Sequence, residues 1–176
     1  MRTETIGMNL DVFDRYSGLS LPRHVSYPMP SWWHDVDGSQ AAEILALDDA
    51  TRSAPNVSLY LHIPFCEKLC KYCACNKVIL PRAAANADAR VQAYVDALAT
   101  EIRTLGQAVG PDRHLRQIHW GGGSPTYLSS DQIESLHRAI GESFRLDPFA
   151  EISIEVDARV TSADMLARLR RTGFNR

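Results

Sequence analysis

The sequence predicts an α/β protein: a partial parallel (β/α) barrel of about three βα units, preceded by an irregular amino-terminal segment. Two observations carry this. Apolar, β-branched runs at 57–63, 117–120 and 152–156 are each succeeded by a stretch of helical periodicity. Strand and helix alternating in this way is the signature of parallel βαβ units wound right-handedly.

Taken in order, residues 16–33 are crowded with Pro22, Pro28, Pro30, serines and aromatics, which favours an extended segment lying over something else. It reads as a surface arm or as a lid over an active site. A short helix is expected at 39–49, with Ala41, Ala42, Ile44, Leu45 and Leu47 as its apolar content. Residues 1–55 are therefore assigned to the arm and 56–176 to the core. The run 57–63 is apolar enough for a buried strand, and Pro64 stops it.

Between 88 and 105, Val91, Tyr94, Val95, Leu98, Ile102 and Leu105 recur at helical spacing, with Asp88 as the expected cap. The second strand comes next, at 117–120. Ser129 with Gln132 forms a capping-box signature, after which Ile133, Leu136, Ile140 and Phe144 continue one apolar face. The third strand is read at 152–156. Thr161 with Asp164 is expected to open a third helix carrying Met165, Leu166 and Leu169, which Gly173 ends.

Parallel sheets place ligands beyond the carboxyl ends of their strands, so the segment after each strand decides the function. A cysteine loop comes after the first, Gly121-Gly122-Gly123-Ser124-Pro125 after the second, and Glu155 with Asp157 marks the end of the third. Their convergence on one rim is expected. Three βα units cannot close a barrel, and 173–176 reads as a turn into a further strand, so the chain is expected to be part of a longer protein.

All four cysteines fall in one short stretch: Cys66, Cys70, Cys73 and Cys75. The first three have the spacing C-x3-C-x2-C, which lets one loop wrap an iron–sulfur cluster from three sides and leave one iron without a protein ligand. A disulfide framework would spread its cysteines along the chain. Structural zinc is the stronger rival, since four thiolates can close a tetrahedral site, although zinc sites usually draw two short pairs from separated hairpins. Buried unliganded cysteines are the plainest alternative.

The chain has 176 residues, of which 45% are hydrophobic, enough for a real core. A formal net charge of −2 argues against broad nucleic-acid binding. No signal peptide opens the sequence and no apolar run is long enough to span a bilayer; with reduced thiols this points to a cytoplasmic setting.

Cys66-x3-Cys70-x-Tyr72-Cys73 resembles the cluster motif of radical S-adenosylmethionine (radical SAM) enzymes, and the stretch from Gly121 to Pro125 is similar to their glycine-rich methionine-binding motif. The strings 59–66, 73–77, 119–123 and 151–157 together resemble the amino-terminal half of the oxygen-independent coproporphyrinogen III oxidase family, and 22–28 is similar to its entry segment. Cys75 marks the oxidase branch, since related heme chaperones read Cys-Asp-Phe where this chain has Cys73-Ala74-Cys75. The chain departs from the family pattern at His24-Val25, Ser124 and Ala158; serine keeps the hydroxyl expected at position 124.

The resemblance implies that Cys66, Cys70 and Cys73 hold a 4Fe–4S cluster and that Cys75 is not a ligand. It implies that Tyr60, Tyr72, Gly122, Gly123, Ser124 and Glu155 bind S-adenosylmethionine, with a second molecule near Gly123 and Ser124. Glu155 would accept from the ribose hydroxyls and Tyr72 would stack on adenine; Tyr60 taken alone reads as core packing. The implied reaction uses a 5′-deoxyadenosyl radical to turn propionates of coproporphyrinogen III into vinyl groups, giving protoporphyrinogen IX. A low-potential electron donor such as a flavodoxin or ferredoxin is the implied partner. Arg23 is a candidate for a substrate carboxylate. His62 and His119 are read as satisfied core groups outside the site.

Overall fold

The computed structural model describes residues 34, 35, 37–40, 43, 56–71 and 73–176. The chain divides into two compact units, 1–42 and 43–176. Of the expected helix at 39–49, residues 39, 40 and 43 are described and are helical. Asp37 caps this helix: its Oδ1 accepts from the backbone N–H groups of Ser39 (2.8 Å) and Gln40 (2.9 Å). The remaining expectations for residues 1–55, Arg23 among them, lie outside the described residues.

The core opens with β1 (Asn56–Ile63), then β2 (Phe65–Cys66) and β3 (Val78–Ile79) on either side of the cysteine loop. Then come α1 (Ala87–Val109), β4 (His114–Gly122), a 3-10 turn (Pro125–Tyr127), α2 (Ser130–Ser143), β5 (Arg145–Ile154) and α3 (Ala163–Thr172). The main sheet is parallel with order β1-β4-β5. Spatial order equals sequence order, so among the described residues the sheet has no switch point of the doubly wound kind, as in a sector of a parallel barrel.

The strands are one-sided where the sequence suggests a fully buried β1. Leu61, Ile63, Leu115, Ile118, Trp120 and Ile152 pack with Val91, Val95 and Ile102 of α1 and Ile133, Leu136 and Ile140 of α2. Tyr60, on the other face of β1, is half exposed. Period-two alternation therefore gives the sheet an apolar face under the helices and a polar face bearing Tyr60, His62, His119 and Glu151.

Several boundaries differ from the sequence reading. Helix α1 begins at Ala87 after Asn86, with no side-chain cap, and Asp88 lies inside its first turn. Helix α3 is capped by Ser162, whose side chain accepts from the Met165 backbone N–H, so Thr161 lies one residue outside. The capping box of Ser129 and Gln132 forms as expected. Strand β4 starts three residues earlier than read and β5 stops at Ile154, although the Glu155 N–H still donates to the Trp120 carbonyl (2.9 Å). Leu105 and Leu166, read as apolar-face residues, are exposed. Beyond α3, the backbone N–H groups of Asn175 and Arg176 both donate to the Ile152 carbonyl, along the edge of β5.

Candidate functional site

The cysteine loop is closed by backbone pairing. The Val78 N–H donates to the Pro64 carbonyl (2.7 Å) and the Leu80 N–H to the Cys66 carbonyl (2.8 Å). The missing side chains of the glycine segment let it run directly beside this loop. The Gly123 N–H donates to the Ile63 carbonyl (2.8 Å) and the Ser124 N–H to the Phe65 carbonyl (2.9 Å). A Cβ on Gly123 would come within 2.5 Å of the Pro64 carbonyl oxygen and 2.9 Å of Cys66 Sγ. Gly122 has φ +109°, and a Cβ there would meet the His62 ring at 2.7 Å. Both positions thus require glycine, one for space alone and one for space and backbone conformation.

A cavity of about 1040 Å3 opens over the carboxyl ends of the strands. Its walls include Cys66, Cys70 and Cys73, the backbone of Gly122 and Gly123, Ser124, and Glu155 with Asp157. The three thiols are partly exposed, and Cys75 is more exposed. Burial, then the neighbouring thiols, pushes the Cys66 thiol up. The Ser124 hydroxyl is buried at the wall without a hydrogen-bond partner.

The structure thus brings Cys66, Cys70, Cys73, Gly122, Gly123, Ser124 and Glu155 to one cavity. Tyr60 stands beside it on the polar face and stacks on His119 at 5.8 Å between ring centres. Tyr72 lies outside the described residues. The donor set fits an iron–sulfur cluster. It consists of soft thiolates on one loop, and the bare glycine backbone leaves the Cys66 sulfur uncovered.

Sequence reasoning missed three residues near this site. His62, read as a core group, takes its place on the polar face: its Nδ1 lies 3.0 Å from the Tyr60 hydroxyl and its Nε2 2.9 Å from the Asn76 carbonyl oxygen. Nε2 must donate to that carbonyl, so in the neutral ring Nδ1 accepts from Tyr60. His119 also leaves the core. Its Nδ1 is 2.8 Å from Ser153 Oγ and its Nε2 3.4 Å from Glu155 Oε1. Ser153 Oγ donates to the Ile118 carbonyl (3.2 Å), so Nδ1 carries the proton towards serine. The i, i+2 spacing of Tyr60 and His62 was the available signal. The third residue is Arg159, whose guanidinium grips Asp157 (Nη2 to Oδ2, 2.7 Å), holding that carboxyl below its ordinary range.

The radical SAM superfamily model matches residues 60–176, and the chain belongs to this superfamily. It is 42% identical over its whole length to the oxygen-independent coproporphyrinogen III oxidase of Salmonella typhimurium, and 41% identical to that of Escherichia coli K12. It covers 36% of each of those proteins, so it spans about a third of the length of the curated relatives it matches. Among solved structures it is similar to coproporphyrinogen III oxidase (HemN) from Escherichia coli, a radical SAM enzyme, with TM-score 0.74 and 38% identity over 87% of this chain and 33% of that one. Superfamily membership implies a 4Fe–4S cluster and S-adenosylmethionine, in keeping with the thiol-lined cavity.

Proposed function

We propose that this chain serves the oxidative decarboxylation of coproporphyrinogen III propionates to vinyl groups, giving protoporphyrinogen IX for heme synthesis. The carrying observation is the convergence of three thiols, a bare glycine backbone and Glu155 on one cavity, in a chain 42% identical to an enzyme named for that substrate. No helix among the described residues is long and apolar enough to cross a membrane.

Cys66, Cys70 and Cys73 would hold the cluster. When bound, cluster and S-adenosylmethionine together supply a carbon radical able to remove hydrogen from an unactivated carbon. The chain's own residues bind and orient. Gly122 and Gly123 let the backbone approach the methionine end of the cofactor, and Ser124, in the same wall, would turn its buried, unpartnered Oγ to meet the ligand. Glu155 would accept from the ribose hydroxyls, with the His119 ring beside it (Nε2 to Oε1, 3.4 Å). Tyr60 and Tyr72 would flank the cofactor, Tyr60 being oriented by His62.

A second S-adenosylmethionine near Gly123 and Ser124, which line the same cavity, is part of this reading. A low-potential flavodoxin or ferredoxin as donor, a cytoplasmic setting, and residues 1–55 as arm or lid over a core at 56–176 belong to the same proposal. Anaerobic reconstitution of the intact protein with iron and sulfide, then assay of 5′-deoxyadenosine and protoporphyrinogen IX, tests it. Both products are expected. Cofactor cleavage without loss of carbon dioxide from the porphyrinogen would remove the assigned substrate.

A further inference from the structure

The loop after β5 sends one cation across the cavity mouth to the cysteine loop. Arg159 is fixed from behind: its Nε donates to Asp157 Oδ1 (2.9 Å), its Nη2 to Asp157 Oδ2 (2.7 Å), and its backbone N–H to Asp157 Oδ1 (3.0 Å). The Asp157 carbonyl in turn accepts from the N–H groups of Val160 (3.1 Å) and Thr161 (3.0 Å), which sets the turn itself. A guanidinium has five N–H donors in one plane, so gripping a carboxylate leaves others directed elsewhere. From Nη2, Cys70 Sγ is 3.4 Å away, a contact between residues 89 positions apart in sequence. Among the described residues, Arg159 is the cation that hydrogen-bonds a thiol of the C-x3-C-x2-C motif.

We infer that Arg159 is a positioning residue that tunes the cluster: held by Asp157, it donates an N–H to the Cys70 sulfur and raises the cluster's reduction potential. This rests on the assignment of Cys70 as a cluster ligand. A ligating thiolate keeps negative charge and gains more when the cluster takes up an electron, so a cationic donor stabilises the reduced form. The Asp157 carboxylate offsets part of the charge, but the N–H directed at sulfur is not cancelled by it. The Arg159 side chain is 59% exposed, so solvent screens part of the effect.

The test is an EPR-monitored redox titration of the intact, reconstituted protein without S-adenosylmethionine, comparing wild type with Arg159→Leu and Arg159→Lys, with iron counted per chain. Both variants are expected to keep the cluster. The midpoint potential should move to more negative values in Arg159→Leu, and Arg159→Lys should recover part of the shift. An unchanged potential in Arg159→Leu would overturn the tuning role while leaving the cluster assignment intact. Equal loss of iron from both variants would reduce Arg159 to bracing the loop and overturn it as well. A wild-type chain taking up zinc and no iron–sulfur cluster would instead overturn the ligand assignment beneath the inference.

Discussion

Gly123 lies so close to Cys66 that a methyl group on the glycine would sit 2.9 Å from the thiol sulfur, and 2.5 Å from the carbonyl oxygen of Pro64. The nearest obstacle is backbone rather than the end of a flexible side chain, so the two loops would have to separate. Forced overpacking of this kind typically costs about 1–3 kcal/mol. Gly123→Ala should lower the thermal midpoint and, by displacing the cysteine loop, sharply reduce iron uptake on reconstitution. Calorimetry and iron analysis of the same preparation check both.

Ser124 gives the opposite pattern. Its hydroxyl is buried without a partner, a state that typically costs about 1–3 kcal/mol of desolvation. Ser124→Ala should therefore leave stability unchanged or slightly raised while weakening S-adenosylmethionine binding about tenfold, the equivalent of one hydrogen bond of about 1.4 kcal/mol. Denaturant unfolding together with equilibrium binding to the reconstituted protein separates the two effects. A fall in stability with binding intact would mean that the hydroxyl serves the fold.

His137 supplies a pH prediction away from the cavity. Its ring lies against Phe174 at 5.6 Å, its Nδ1 is buried without a partner, and burial pushes its pKa down. The unfolded chain takes up a proton near pH ~6.5 where the folded chain resists it. Stability attributable to this residue is therefore kept above that pH, falls as the pH drops through it, and levels off below the lowered folded value. In His137→Phe the difference in unfolding free energy between about pH 7.5 and about pH 5.5 should shrink. Denaturant titrations at both pH values measure it; an undiminished difference would place the pH sensitivity elsewhere.

How much of this is legible in the sequence depends on whether the cause is local. The strand-helix alternation, the Ser129–Gln132 capping box and the cysteine spacing are local patterns, and the structure carries each of them. The start of α3 reads one residue off because Thr161 and Ser162 are both competent caps, and only the backbone path decides which hydroxyl meets the Met165 N–H. His62 and His119 read as core residues because a strand's apolar content does not reveal which face is apolar and which polar. The Arg159–Cys70 contact joins loops that only the parallel register of β1, β4 and β5 brings together. Pairwise spacing in sequence cannot report such contacts.

In the proposed site Cys66, Cys70 and Cys73, without Cys75, would hold a 4Fe–4S cluster with one iron free of protein ligands. Mössbauer and EPR spectroscopy of anaerobically reconstituted wild type, of the three single serine variants at those positions, and of Cys75→Ser tests it most directly. A cluster is expected in wild type and in Cys75→Ser, with an EPR signal that changes when S-adenosylmethionine is added, and no stable cluster in the other three variants. Zinc held by four thiolates, and lost when Cys75 is replaced, would contradict it.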